Sequence, residues 1–290
     1  MRGEQLIELA KESPVISDGA MGTMLQTYGL SSGMCPELWN VERPEVIHAI
    51  HTAYLDAGSK IISTNTFGAN RFKLDSYNIA DRVYELNFSG VSIARKAAGS
   101  ENFVAGSIGP TGKFLEPLGE LTFLDAVSIF EEQAHAQAEA GADVILVETF
   151  SDLEEAKAAV TGALRTGLPC FCTMPFDTGG RTMMGVDPVT AADELIKVGA
   201  AGVGANCGIG PSETVEIMRL MRETSDATII AQPNAGLPKV VEGRTIYESS
   251  PEEMADFAVK FAEIGVNIIG GCCGTTPDHI RAMALRLKSN

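Results

Sequence analysis

Asn267-Ile268-Ile269-Gly270-Gly271-Cys272-Cys273-Gly274-Thr275-Thr276-Pro277 is an apolar run, a glycine-rich turn and a helix start in succession. The run reads as a strand buried on both faces. The glycines permit a sharp turn after it. A proline behind a polar residue then opens a helix over 277–287. The unit is strand, loop and helix, with two adjacent thiols where the strand ends.

The same unit recurs along the 290 residues. Apolar runs dominated by β-branched and small residues lie at 15–18, 60–67, 103–109, 144–150, 169–176, 202–207, 228–235 and 267–273. Helical patterns follow at 44–57, 82–98, 123–140, 153–165, 188–198, 212–224, 251–264 and 277–287. Arg43-Pro44, Asp187-Pro188 and Ser250-Pro251 mark helix starts; Gly58, Gly99, Gly141, Gly199 and Gly265 mark ends. Eight such units predict a single (β/α)8 TIM barrel spanning 1–290, close to the typical length of about 250 residues. A doubly wound open sheet fits less well, because no GxGxxG follows the first strand and no second domain is left over.

Composition narrows the class. The chain is 45% hydrophobic, with a net charge of −16. No basic run stands out, which speaks against nucleic acid and anionic membrane surfaces as partners. No apolar stretch approaches the ~20 residues of a membrane span. Residues 1–14 mix charge with a helical pattern and lack a signal-peptide core. Six cysteines in a chain this long are not a disulfide scaffold, so a reducing cytoplasm is expected.

Barrel chemistry sits at the C-terminal ends of the strands. Those ends carry Asp18-Gly19-Ala20, Asn65, Glu148, Asn206-Cys207, Asn234 and Cys272-Cys273. Neighbouring cysteines make a poor disulfide, since their Cα atoms are only ~3.8 Å apart. Both can face one metal ion. Cys207 closes strand 6 and the pair closes strand 8, flanking strand 7, so three thiolates can meet one zinc and leave a fourth position open, a catalytic pattern. Taken alone, Cys207 would read as a core thiol. Cys170 and Cys172 share one face of strand 5 and read as small apolar fillers, the alternative being membership of the cluster. Cys35 lies in an early loop, and the four histidines look peripheral. Three thiolates overcompensate the metal charge, so zinc here is a weak activator of water. It still holds a substrate thiol as thiolate at neutral pH, ready to attack carbon.

Gly204-Ala205-Asn206-Cys207 and Gly270 to Pro277 resemble the zinc signature of homocysteine S-methyltransferases. Asp18 to Thr23, Thr64 to Ala69, Gly109 to Gly112, Glu148 to Asp152 and Gln232 to Gly236 match the family as well, so the resemblance covers nearly the whole chain. It is greatest to the homocysteine-binding module of cobalamin-dependent enzymes. The resemblance implies a zinc ion held by Cys207, Cys272 and Cys273, homocysteine bound through its thiol, and an ammonium bound by Asp18 and Glu148. The Gly19-Ala20 turn offers backbone N–H groups to the substrate carboxylate. Asn65 and Asn234 are site walls or packing amides, and Asn234 is placed to fill the fourth zinc position when substrate is absent.

Three functions are weighed. The first is transfer of a methyl group to homocysteine, giving methionine, from a methylcorrinoid on a separate domain or protein. The chain lacks an Asp-x-His-x-x-Gly cobalamin signature and is expected to be an excised module or a free-standing subunit. The second uses a small onium donor, S-methylmethionine or betaine, boxed by aromatics drawn from Trp39, Phe67, Phe114, Phe150 and Phe176. The third is a non-catalytic zinc-binding scaffold, against which the strand-end acids argue.

Overall fold

Each apolar run becomes a strand that is buried on both sides, so the strands pair in parallel and helices return the chain between them. The computed structural model describes residues 1–177, 179–208, 210–241 and 244–289. Among these, the strands of the main sheet are β1 (Val15–Ile16), β2 (Ile61–Ser63), β3 (Phe103–Ile108), β4 (Val144–Glu148), β5 (Cys170–Met174), β6 (Gly202–Cys207), β7 (Thr228–Pro233) and β8 (Ile268–Ile269). Pairing runs β1-β8-β7-β6-β5-β4-β3-β2. A parallel bridge from Ser17 to Ile61 joins the two ends of that order and closes the ring. The helices behind the strands are α1 (Pro44–Ala57), α2 (Val83–Ala98), α3 (Phe123–Glu139), α4 (Leu153–Leu164), α5 (Pro188–Lys197), α6 (Pro211–Thr224), α7 (Pro251–Ile264) and α8 (Pro277–Lys288). This is the predicted (β/α)8 barrel.

Local signals account for the helix ends. Proline occupies the first turn of α1, α5, α6, α7 and α8. Ser250 and Glu253 form a reciprocal capping box at α7. Gly58 and Gly265 end α1 and α7 in the left-handed conformation.

Two strands are much shorter than the runs that predicted them. β2 stops at Ser63 and β8 at Ile269. Beyond those points the chain turns on itself, as in the Thr66 N–H bond to the Thr64 carbonyl at 2.9 Å. The tails of both runs are therefore loop at the barrel mouth. The loops at this end also carry elements with no separate sequence signal: short helices Gly22–Thr27, Trp39–Glu42 and Arg71–Asp75, and a two-stranded ribbon of Lys239–Val241 with Arg244–Ile246.

Strand alternation splits the core in two. Val15, Ile61, Phe103, Leu146 and Phe171 fill the barrel interior together with Leu6 and Ala10 of an N-terminal helix, Arg2–Glu12. Ile16, Ile62, Val104, Cys170 and Cys172 face the helices instead. The N-terminal helix plugs the bottom of the barrel. Arg2 Nε meets the buried Asp143 carboxylate at 2.9 Å, and Arg95 reaches the other oxygen. The helix and these ion pairs close the bottom of the barrel interior.

Candidate metal centre

Cys207, Cys272 and Cys273 come together at the mouth, as the sequence spacing predicts. Their sulfurs lie within 4.8 Å of one another. Cys272 Sγ is 3.1 Å from Cys207 Sγ, and Cys207 Sγ is 3.7 Å from Cys273 Sγ. Neither separation is a disulfide, which needs about 2.05 Å. All three thiols are free, and the residues that carry them are half-buried.

Two backbone features aim these thiols. Along β6, Val203 and Ala205 face the helices, and simple alternation would send Cys207 the same way. Cys207 instead adopts φ 56, which breaks the alternation. A non-glycine residue in that region is uncommon and strained. On the other side, Gly270 lets the chain cross Ser17 and Asp18: a Cβ there would sit 2.0 Å from Ser17 Oγ. The Gly271 N–H then bonds the Asp18 carbonyl at 3.0 Å, and the Cys272 N–H bonds the Pro233 carbonyl at 2.8 Å. The thiol pair is thereby anchored to both β1 and β7.

The donor set fits zinc. Tetrahedral zinc with sulfur bonds of ~2.3 Å places sulfurs about 3.8 Å apart, close to the separations found. Without a cation, three thiols this close cannot all ionise. The Cys207 and Cys272 thiols beside it pull Cys273 well below the usual thiol range. Contact with Cys207 and Cys273, with burial added, raises Cys272 well above the usual thiol range. One further acceptor lacks a partner. Asn234 follows β7, between the strands that carry the thiols, and its Nδ2 donates to the Gly208 carbonyl at 3.1 Å. Its buried Oδ1 has no hydrogen-bond partner among the described residues.

Asp18 is buried and Glu148 half-buried in the same mouth. Asp18 is 3% exposed and accepts from the Ser63 N–H at 2.7 Å and the Ser63 hydroxyl at 3.1 Å. Burial pushes its carboxyl up to about 8, although the Ser63 bonds pull the other way. Burial also pushes Glu148 up to about 7, against a hydrogen bond from Ser107, and the Cys273 charge adds to the rise. Neither acid makes an ion pair among the described residues. Carboxyls withdrawn from solvent without a cation are costly unless protonated or completed by a ligand.

The remaining predicted residues fall differently. Ala20 does not offer a free N–H, because it donates to Thr275 Oγ1 at 3.1 Å. The Gly19 N–H has no hydrogen-bond partner among the described residues and is half-exposed. Asn65 spends both amide N–H groups on the adjacent loop, on Pro36 O at 2.9 Å and Asn40 Oδ1 at 3.0 Å. Cys170 and Cys172 are fully buried against the helices, away from the cluster. His279 caps α8 and reaches Ser249 O, and His51 is fully buried in α1.

Sequence reasoning passed over Ser63, Ser107, Asn206 and Tyr247 as site residues. Ser63 and Ser107 lie on interior positions of β2 and β3 near their C-terminal ends, so alternation alone would have found them. Tyr247 follows the ribbon, stands close enough to Cys273 for the two to shift each other's ionisation, and lies against Gly274, where a Cβ would meet its ring at 2.3 Å. No local signal marks that contact.

A family profile described as homocysteine S-methyltransferase matches residues 15–287. The chain belongs to that family. Among similar proteins, methionine synthase from Mycobacterium tuberculosis (strain ATCC 25618 / H37Rv) is 37% identical over 298 positions, and that from Mycobacterium leprae (strain TN) is 36% identical. Each alignment covers 96% of this chain but only 25% of the relative, so the chain spans about a quarter of these proteins' length. Among solved structures, the metallated form of the homocysteine methyltransferase MmuM from Escherichia coli superposes with a TM-score of 0.79 at 24% identity, covering 96% of this chain and 98% of that one. At that identity the likeness speaks for the fold alone.

Proposed function

We propose that this methyltransferase barrel binds homocysteine through a zinc ion and presents its thiolate to a methylcorrinoid carried by a separate domain or protein, giving methionine. The observation that carries the reading is the pairing of a three-thiol cluster with two carboxyls in one mouth, Asp18 buried and Glu148 half-buried, neither ion-paired among the described residues. One end suits a thiol and the other an ammonium, the two functional ends of homocysteine.

Cys207, Cys272 and Cys273 hold the zinc, which keeps a fourth, substrate thiol ionised at neutral pH. Asp18 and Glu148 take the ammonium, Ser63 and Ser107 hold those carboxylates in place, and Gly19 offers an N–H to the substrate carboxylate. Asn234 Oδ1 supplies an acceptor to the metal when no substrate is bound. The fragmentary match to methionine synthases supports a donor carried elsewhere in a larger assembly, and no helix of the described residues is long and apolar enough to cross a membrane.

An onium donor is less well supported. Trp39, Phe150 and Phe176 are 3%, 0% and 2% exposed and belong to the core. Only Phe67 and Phe114 of the candidate aromatics reach solvent, and two dispersed rings do not make a box. A donor panel decides the matter: homocysteine with free methylcobalamin, a methylated corrinoid protein, S-methylmethionine or betaine. Methionine should appear with the corrinoid donors. Turnover with onium donors alone would overturn the reading.

A further inference from the structure

Thr149 is β-branched and yet sits at φ 67, in the left-handed region. Such a residue persists there only when its surroundings demand it. What the conformation secures is a grip on Asn206. The Thr149 N–H, shared with the Thr173 carbonyl, donates to Asn206 Oδ1 at 3.1 Å, and Thr149 Oγ1 accepts from Asn206 Nδ2 at 2.7 Å.

A backbone N–H can only donate, so it decides which end of the amide is oxygen. Nδ2 is thereby turned to the other side, with one of its two N–H bonds taken by Thr149. Its surroundings there are Glu148 Oε2 at 3.5 Å and Cys272 Sγ at 4.0 Å. Asn206 is 2% exposed, so no bulk solvent competes for the remaining N–H.

We infer that Asn206 is a positioning residue that ties the two halves of the site together. Its second N–H is shared between the carboxylate that meets the substrate ammonium and a sulfur that holds the metal. The Thr149 turn sets the direction of that N–H, and with it the spacing between the amino-acid end and the thiol end. Donation to a metal-bound sulfur draws electron density from it, as supporting groups around metal sites do. The inference rests on the proposed zinc and homocysteine reading.

The test uses the full chain loaded with Co²⁺, whose sulfur-to-metal absorption reports the electron density on the ligand sulfurs. Asn206→Ala should move that band to lower energy and weaken metal binding about 10- to 100-fold in chelator competition. It should also weaken binding of norleucine, which carries the amino-acid end without a thiol. Thr149→Val, which removes the hydroxyl anchor and keeps the branch, should shift all three in the same direction by less. Thr149→Ser, which keeps the hydroxyl, should stay near wild type.

An unchanged band and unchanged metal affinity in folded Asn206→Ala would overturn the inference, even if its melting temperature fell. Should that variant not fold, unchanged values in Thr149→Val would do the same. Wild-type protein that takes up neither zinc nor cobalt would instead sink the functional reading itself, before any variant is made.

Discussion

The two ends of the barrel handle buried acid in opposite ways. At the bottom, Asp143 is 4% exposed and meets two guanidiniums, Arg2 and Arg95, along with the Val104 N–H. At the mouth, the buried Asp18 and half-buried Glu148 are met by hydroxyls and N–H groups, with no ion pair among the described residues. The bottom acid completes the fold. On the proposed reading the mouth acids await a cationic ligand, and the three-thiol cluster stands beside them.

The sharpest break of this comparison lies in the thiols. Cys272→Ala should drop the zinc content from about one per chain to near zero. Methyl transfer should fall by more than the ~100-fold typical of losing a supporting residue. Full zinc in that variant, measured by elemental analysis, would remove Cys272 from the ligand set.

Next come the acids, one from each end. Asp143→Ala leaves two partly solvated guanidiniums unpaired and should cost about 3 kcal/mol of stability, the lower end of the range for breaking a buried pair. Its homocysteine affinity should not change. Asp18→Asn should do the reverse, costing no stability at neutral pH and weakening homocysteine binding by about 2–5 kcal/mol, the cost of truncating a buried charged partner. Denaturant titration and calorimetry separate the two. Equal stability losses would erase the contrast between the ends.

The same contrast predicts a pH dependence. The folded, ligand-free protein holds Asp18 protonated up to about 8, whereas the unfolded chain sheds that proton near 3.9. Its contribution to stability is therefore greatest below the unfolded value and is lost as pH rises towards 8. Ammonium binding has the opposite sign, because it selects the ionised acid. Norleucine, free of any thiol titration, should bind more tightly as pH rises from 6 to 8, by up to about tenfold per unit for each acid that must ionise. Affinity that is flat across this window would show that the mouth acids are already charged.

Much of this was legible in the sequence, for physical reasons that can be named. The barrel was readable because strands buried on both faces must be apolar, and because proline and glycine punctuate the helices. The thiol pair was readable because two adjacent cysteines among glycines have few other uses. Other features depend on contacts between distant residues. Alternation along β6 would have turned Cys207 outward, and only its positive φ brings it to the cluster. The Ala20 N–H looked available until Thr275, 255 residues later, was found bonded to it. The sequence leaves Asn65 open between a site wall and a packing amide, and its N–H groups are spent on Pro36 and Asn40.

The smallest expected effect checks the alternation argument itself. Cys170 and Cys172 share the helix-facing side of β5, fully buried, and burial raises both thiols far from any ionised form. If strand alternation assigns the two β5 thiols correctly, Cys172→Ala removes one small buried atom and nothing else. It should cost about 1 kcal/mol of stability, near that of a buried methylene, with zinc content and methyl transfer unchanged. A thiol only a few residues below the mouth would be a natural fifth candidate for the metal if distance alone mattered. Loss of zinc in this variant would mean that the direction a side chain faces does not separate structural from ligating cysteines here, and the division between Cys172 and Cys272 would have to be redrawn.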